Sequence, residues 1–143
     1  MDEAKRKELL AGLNEDLAHE YAAVITYRTY ASAVRGPNRQ ELRQFFTGEI
    51  ADELSHAQLL ADKIVALGGE PTTKAASVRY SEDAPQMLQY ALDDEIATLA
   101  RYIERRKQAE AVEEYGLAVD LDTVIADETK HRDELRLMLG RWK

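Results

Sequence analysis

Residues 50–56 read IADELSH and residues 125–131 read IADETKH, so five of seven positions agree across an offset of 75 residues. Each copy ends in Glu-x-x-His, Glu53 with His56 and Glu128 with His131. A spacing of three puts both side chains on one face of a helix, neighbouring along its axis, where both can reach one ion. The repeat continues outward at the same offset. Glu20 falls on Glu95, Leu17 on Leu92, Ala22 on Ala97 and Tyr27 on Tyr102. In each half the single Glu precedes the Glu of the Glu-x-x-His motif by 33 residues. The two halves are therefore pseudo-symmetric.

Alternating steps of three and four extend these anchors into helical seams. The first runs Leu10, Leu13, Leu17, Glu20, Val24, Tyr27, Ala31 and ends near Arg35-Gly36-Pro37. The second runs Leu42, Phe46, Glu49, Glu53, His56, Leu60, with Asn38 as its cap, and stops at Gly68-Gly69-Glu70-Pro71. From residue 70 to about 81, EPTTKAASVRYS has no period and reads as one long connection. A third seam, Leu88, Leu92, Glu95, Leu99, Tyr102, opens at Ser81-Glu82-Asp83 with Pro85 in its first turn. The fourth is Leu117, Leu121, Val124, Glu128, His131, Leu135, Met138, Trp142. No strong breaker separates the last two, and their turn is expected near Ala109 to Glu113. Hairpin, crossover, hairpin predicts an all-α four-helix bundle with one long crossover.

Composition agrees. The 143 residues suit one domain, expected to span 1–143, and 45% hydrophobic with 32% charged residues is the balance of a soluble globular chain. Seven Gly and three Pro are too few for the many turns of an all-β fold. The net charge of −8 argues against docking to nucleic acid or an anionic membrane and favours cationic clients. Without cysteine, disulfides, thiolate zinc sites, iron–sulfur clusters and thiol nucleophiles are excluded. The charged start MDEAKRKELLAG lacks the apolar core of a signal peptide, and no apolar run approaches a membrane span, so a cytoplasmic location is expected.

Every seam carries carboxylates where the period assigns core positions. Buried ionised carboxylates are costly unless paired or bound to metal. Any one of these acids, alone, reads as a solvated or salt-bridged helix residue, and either histidine as a satisfied core residue. Six in register read differently: four carboxylates and two imidazoles suffice for two divalent ions, and oxygen-rich ligation with one His per ion suits iron or manganese better than structural zinc. Tyr27 and Tyr102 read equally as core aromatics or as groups beside the metals. Asp52 and Asp127, each preceding a motif Glu, lie beside the seam and read either as solvent-facing acids or as partners of the histidines, Asp127 accepting the outer N–H of His56 and Asp52 that of His131. Glu49 reads as an entry-path acid or a bundle-end residue, His19 as surface, and the runs EAVEE and RYIERRK as solvated faces.

The helix order, crossover and six ligand positions resemble the ferritin-like superfamily, most closely bacterioferritin and its short relatives, over essentially the whole chain. The resemblance implies a di-iron site with two Fe ions per chain, Mn being the alternative metal. Glu20 and His56 would hold one ion, Glu95 and His131 the other, with Glu53 and Glu128 bridging. It implies a ferroxidase that oxidises Fe(II) with dioxygen or hydrogen peroxide for iron storage or detoxification, with Tyr27 supplying a proton or electron. It also implies a homodimer or larger homo-oligomer. The haem-ligating Met of bacterioferritin would stand at Leu54, so no haem is expected. A short fifth helix typical of that family has no counterpart among the twelve residues after His131. The mirrored pair Tyr27 and Tyr102 resembles rubrerythrin-type proteins, although Thr98 stands where their third helix carries an extra Glu. A rubrerythrin-like or manganese-catalase-like peroxide-consuming oxidoreductase is therefore the second reading, and a passive metal-binding helical module the third.

Overall fold

In the computed structural model, residues 1–140 are described, and they form four helices and no strand. Helix α1 spans Glu3–Ala33, α2 Arg39–Ala66, α3 Ala84–Ala111 and α4 Tyr115–Gly140. The expected all-α bundle with one long crossover is the fold observed. Trp142, placed on the fourth seam by its period, lies outside the described residues.

Local chemistry explains most helix ends. The Asp2 carboxylate accepts from the N–H groups of Ala4 and Lys5, and Asp83 accepts from Gln86, so α1 and α3 begin on carboxylate caps. Pro85 sits in the first turn of α3, where its missing N–H costs nothing. Asn38 holds the cap position of α2 as expected, but its side chain makes no capping bond. Helix α2 stops where Gly68 turns to φ 83°, with Gly69 N–H donating to the Ile64 carbonyl and Gly68 N–H to Val65. The same closure ends α3 inside the expected turn: Glu114 N–H donates to Ala109 and Glu113 N–H to Glu110. Here the left-handed position is held by Glu113, at φ 64°, rather than by glycine.

The crossover runs back along α1. Asn14 donates to the Glu70 carbonyl and accepts from Thr72 N–H, and Ala76 N–H donates to the Ala18 carbonyl. The strap therefore returns the chain along the bundle with its backbone groups partly satisfied by α1.

The apolar core is in two parts. One contains Tyr30, Phe46, Leu88 and Leu135, and the other Leu13, Leu17, Leu60 and Leu121. Two seam assignments shift slightly. Leu9 is fully buried while Leu10 is half-buried, and Leu139 is buried while Met138 only packs against the core, because helices of 3.6 residues per turn drift off a fixed three-four step. Between the two apolar parts lies a belt of buried polar side chains.

Candidate metal centre

The belt is built one helix at a time. Glu20 on α1, Glu53 and His56 on α2, Glu95 on α3, and Glu128 and His131 on α4 are all buried. They converge as two overlapping groups. The ligand atoms of Glu20, Glu53, His56 and Glu128 lie within 4.8 Å of one another, as do those of Glu53, Glu95, Glu128 and His131. Glu53 and Glu128 belong to both groups, so their place between the two positions suits bridging.

The donor chemistry fits divalent metal. Glu20 Oε2, Glu53 Oε1, Glu95 Oε2, both oxygens of Glu128, and Nδ1 of His56 and His131 are buried without a hydrogen-bond partner. Buried carboxylate oxygens left unpartnered are costly, and a shared cation is the arrangement that satisfies all of them at once. His56 Nδ1 points inward, 3.0 Å from Glu128 Oε1 and 3.7 Å from Glu20 Oε1, outside hydrogen-bond geometry.

The outer ring nitrogens are held from the opposite half. His56 Nε2 lies 3.0 Å from Asp127 Oδ2, and His131 Nε2 lies 3.0 Å from Asp52 Oδ2. With Nε2 donating outward, Nδ1 of a neutral ring is left as the inward lone pair that a metal takes. The expected Asp pairing is thus the observed one. Glu49 Oε2 sits 2.8 Å from His131 Nε2, outside hydrogen-bond geometry, and is itself buried without a hydrogen-bond partner.

The tyrosines are crossed in the same way. Tyr27 donates to Glu95 Oε1 at 2.9 Å and Tyr102 to Glu20 Oε1 at 2.5 Å. Burial, reinforced by Glu95 for Tyr27 and by Glu20 for Tyr102, raises both phenols well above their ordinary pKa, so both remain protonated donors.

In the metal-free protein, burial raises Glu53 well above the carboxylate range, with the charges of Glu20 and Glu128 adding to it. Burial does the same to Glu95. Burial also opposes the ionised form of Glu128, but contacts with Glu95, His131 and His56 outweigh it and hold this carboxyl well below its ordinary value. His56 is pushed up to about 11: burial works against its charge, and Glu128, Glu20 and Asp127 more than compensate. His131 is raised in the same way by Glu128, Glu49 and Glu95 against its own burial. Without metal, the neighbouring carboxylates thus favour the protonated form of both histidines.

Two expectations from sequence need correction. His19 is half-buried rather than at the surface, and it lines a cavity of about 70 Å³ between α1 and α3 that includes Glu20, Tyr27, Glu53, Glu95 and, from the crossover, Ser77. That space admits water-sized molecules to the carboxylates. Within RYIERRK, Arg105 is buried instead of solvated. Its Nε and Nη2 donate to the two oxygens of buried Asp16 at 2.8 and 3.2 Å. The guanidinium occupies the space that a side chain at Gly12 would need, since a Cβ there would lie 1.8 Å from Nη1. Gly12, Asp16 and Glu20 recur every four residues on α1, a periodicity that signals one helix face.

Residues 10–143 match the ferritin-like domain family. The chain belongs to that family. It is 27% identical over 133 residues to a bacterioferritin of Streptomyces coelicolor, covering 92% of this chain and 80% of that protein. It is 30% identical over 134 residues to a bacterial ferritin of Synechocystis, covering 92% and 86%. Among solved structures it is similar to a ferritin-like, diiron-carboxylate protein of Bacillus anthracis, with 47% identity and a TM-score of 0.94 over 97% of this chain and 99% of that one. A Desulfovibrio desulfuricans bacterioferritin, at 23% identity, shares the fold with a TM-score of 0.86 over 96% of this chain and 81% of that one. The buried glutamates and histidines of this chain form two groups that could each hold a metal ion. No helix among the described residues is long and apolar enough to cross a membrane.

Proposed function

We propose that the chain binds two Fe(II) ions per molecule and oxidises them with dioxygen or hydrogen peroxide, for iron storage or detoxification. One observation carries this reading: seven buried oxygen and nitrogen atoms of Glu20, Glu53, Glu95, Glu128, His56 and His131 lack partners and face one another. Glu20 with His56 and Glu95 with His131 serve as the terminal ligands, and Glu53 and Glu128 as the bridges. Two Fe(II) substrates together give two electrons to dioxygen, which takes up two protons and leaves as hydrogen peroxide; with peroxide as oxidant, the same two electrons and two protons yield two waters. Carboxylates favour the more highly charged product ion. Tyr27 and Tyr102, hydrogen-bonded to Glu95 and Glu20, hold protons at the rim of the site. The test is anaerobic Fe(II) titration followed by stopped-flow exposure to oxygen. Saturation at two ions per chain with rapid oxidation, both lost in Glu53→Ala, is the expected result; an oxidation rate no faster than free Fe(II) in the same buffer would refute it.

The tyrosine pair supports a second reading, a peroxide-consuming oxidoreductase that keeps its di-iron or di-manganese pair as a fixed cofactor. Sustained peroxide turnover without accumulation of iron would favour it over the first. Assembly at least into a homodimer is part of the proposal. It draws support from the exposed Ile25 and Leu54, which with Tyr21 and Val24 line an apolar hollow on α1 and α2.

A further inference from the structure

The internal repeat makes every difference between the halves informative, and the largest differences lie at opposite ends of the polar belt. Both histidines have an aspartate on Nε2, but His131 alone has a second carboxylate there, Glu49, with Oε2 at 2.8 Å and the side chain 16% exposed. The position equivalent to Glu49 in the other half is Val124, a buried core residue. On the Glu20 side the asymmetry has the opposite sign. Asp16, one turn before Glu20, is shared by two guanidiniums, Arg105 at 2.8 Å and Arg101 at 3.7 Å, so cationic groups flank this end of the belt. The equivalents of Asp16, Arg105 and Arg101 are Ala91, Tyr30 and Thr26, none of them charged. The nearby pair Arg79–Asp94 on the Glu95 side is exposed and adds no net charge.

We infer that the two metal positions are unequal, and that a divalent cation fills the position of Glu95 and His131 before that of Glu20 and His56, with Glu49 the positioning residue that sets the order. This rests on the di-metal reading above. A carboxylate on the outer N–H of a ligand imidazole fixes its orientation and makes its inner nitrogen a stronger donor, and losing such a partner typically lowers metal affinity by about 10–100-fold. Asp52 and Asp127 hydrogen-bond the outer nitrogens of His131 and His56 alike, and Glu49 adds a second negative charge 2.8 Å from that of His131 alone, outside hydrogen-bond geometry. The extra carboxylate at the Glu49 end attracts a cation, while guanidiniums flank the other end, and in a buried, weakly screened belt this difference favours the Glu95 and His131 position.

The probe is cobalt(II), added to the full metal-free chain and followed by calorimetry and by its visible absorption. Wild type should take up two ions in two resolved steps, the first at least about tenfold tighter. His131→Ala should abolish the tight step, whereas His56→Ala should retain it and lose the weak one. Glu49→Gln, nearly isosteric, should weaken the first step by about tenfold, merging the two, with its helical circular dichroism unchanged; Glu49→Val, which copies the other half, should do the same. Two ions bound with indistinguishable affinity, or a tight step that survives His131→Ala and vanishes in His56→Ala, would overturn the inference while leaving the di-metal site standing. No uptake of cobalt at all would overturn the di-metal reading itself.

Discussion

The Tyr102 hydroxyl donates to Glu20 Oε1 across 2.5 Å, joining α3 to α1 inside the bundle. Tyr27 and Glu95 form the mirrored bond, so each half anchors the single buried glutamate of the other half's first helix. Tyr102→Phe removes the donor and leaves Glu20 Oε1 buried and unpaired. The metal-free protein should lose about 1–3 kcal/mol in urea unfolding, with Fe(II) stoichiometry unchanged. Equal stability of variant and wild type would mean that the bond is absent in solution.

The stability of the metal-free protein should fall as the pH rises above neutrality. His56 has an ordinary pKa of 6.5 and is held at about 11 in the fold. Its contribution is therefore complete below 6.5 and is lost as the pH climbs through about 11. His131 is shifted in the same direction. Glu53 and Glu95, raised by burial, resist ionisation in the fold and destabilise it increasingly above 4.5. Glu128, shifted down, stabilises above 4.5 and contributes no slope near neutrality. Chelator-treated protein should thus melt lower at about pH 9 than at about pH 6, and the gain on adding Mn(II) should be larger at the higher pH, since metal replaces the lost protons. A melting temperature that rises over this range in the absence of metal would contradict the assignment.

Much of this was legible in the sequence, because the site and the fold share one pattern: Glu20, Glu53, His56, Glu95, Glu128 and His131 interrupt apolar seams at matched intervals, and buried acids at such positions demand a common partner. What escaped the pattern had no periodic signature. Arg105 sits in a charged run whose neighbours Glu104 and Lys107 are exposed, and only the hole at Gly12 reveals that its guanidinium turns inward. The turn between α3 and α4 lacked a breaker because Glu113 occupies the left-handed position that Gly68 occupies after α2. Glu49 lay on the seam, but its contact with His131 depends on the register of α2 against α4, which no single helix encodes.

Gly12 and Arg105 should be energetically coupled. Gly12→Ala forces the guanidinium off Asp16 and should cost about 2–4 kcal/mol, approaching the penalty of breaking a buried ion pair. In an Arg105→Ala background the obstacle is gone, and the same change should be neutral or stabilising by up to about 1 kcal/mol through helix propensity. A double-mutant cycle from denaturant melts measures this, and additive effects would show that the two sites do not touch.

Glu113→Gly should stabilise the protein by about 0.5–1 kcal/mol, because glycine adopts φ 64° without the steric cost that a Cβ brings. The adjacent ion pair of Lys63 with Glu114 does not involve this side chain and should persist. Thermal melts of the metal-free variant would reveal the gain; a loss would mean that the Glu113 side chain makes a contact worth more than the strain.

Protein purified from cells supplied with haem should show no Soret band. Leu54 stands where a thioether would be needed, and the methionines of the chain are Met1, Met87 and Met138, none on α2. A band with one haem per two chains would refute this.

The crossover has a consequence for what the site can become. Two separate, identical hairpins meeting on a two-fold axis would have to place the same residue at both mates of every pair, so any change favouring one metal position would be copied into the other. Because a continuous strap joins the hairpins, Glu49 can have Val124 as its counterpart, and Asp16 can have Ala91, without the opposite half following. A single covalent link thereby turns an obligatorily even-handed cradle into one able to distinguish first guest from second.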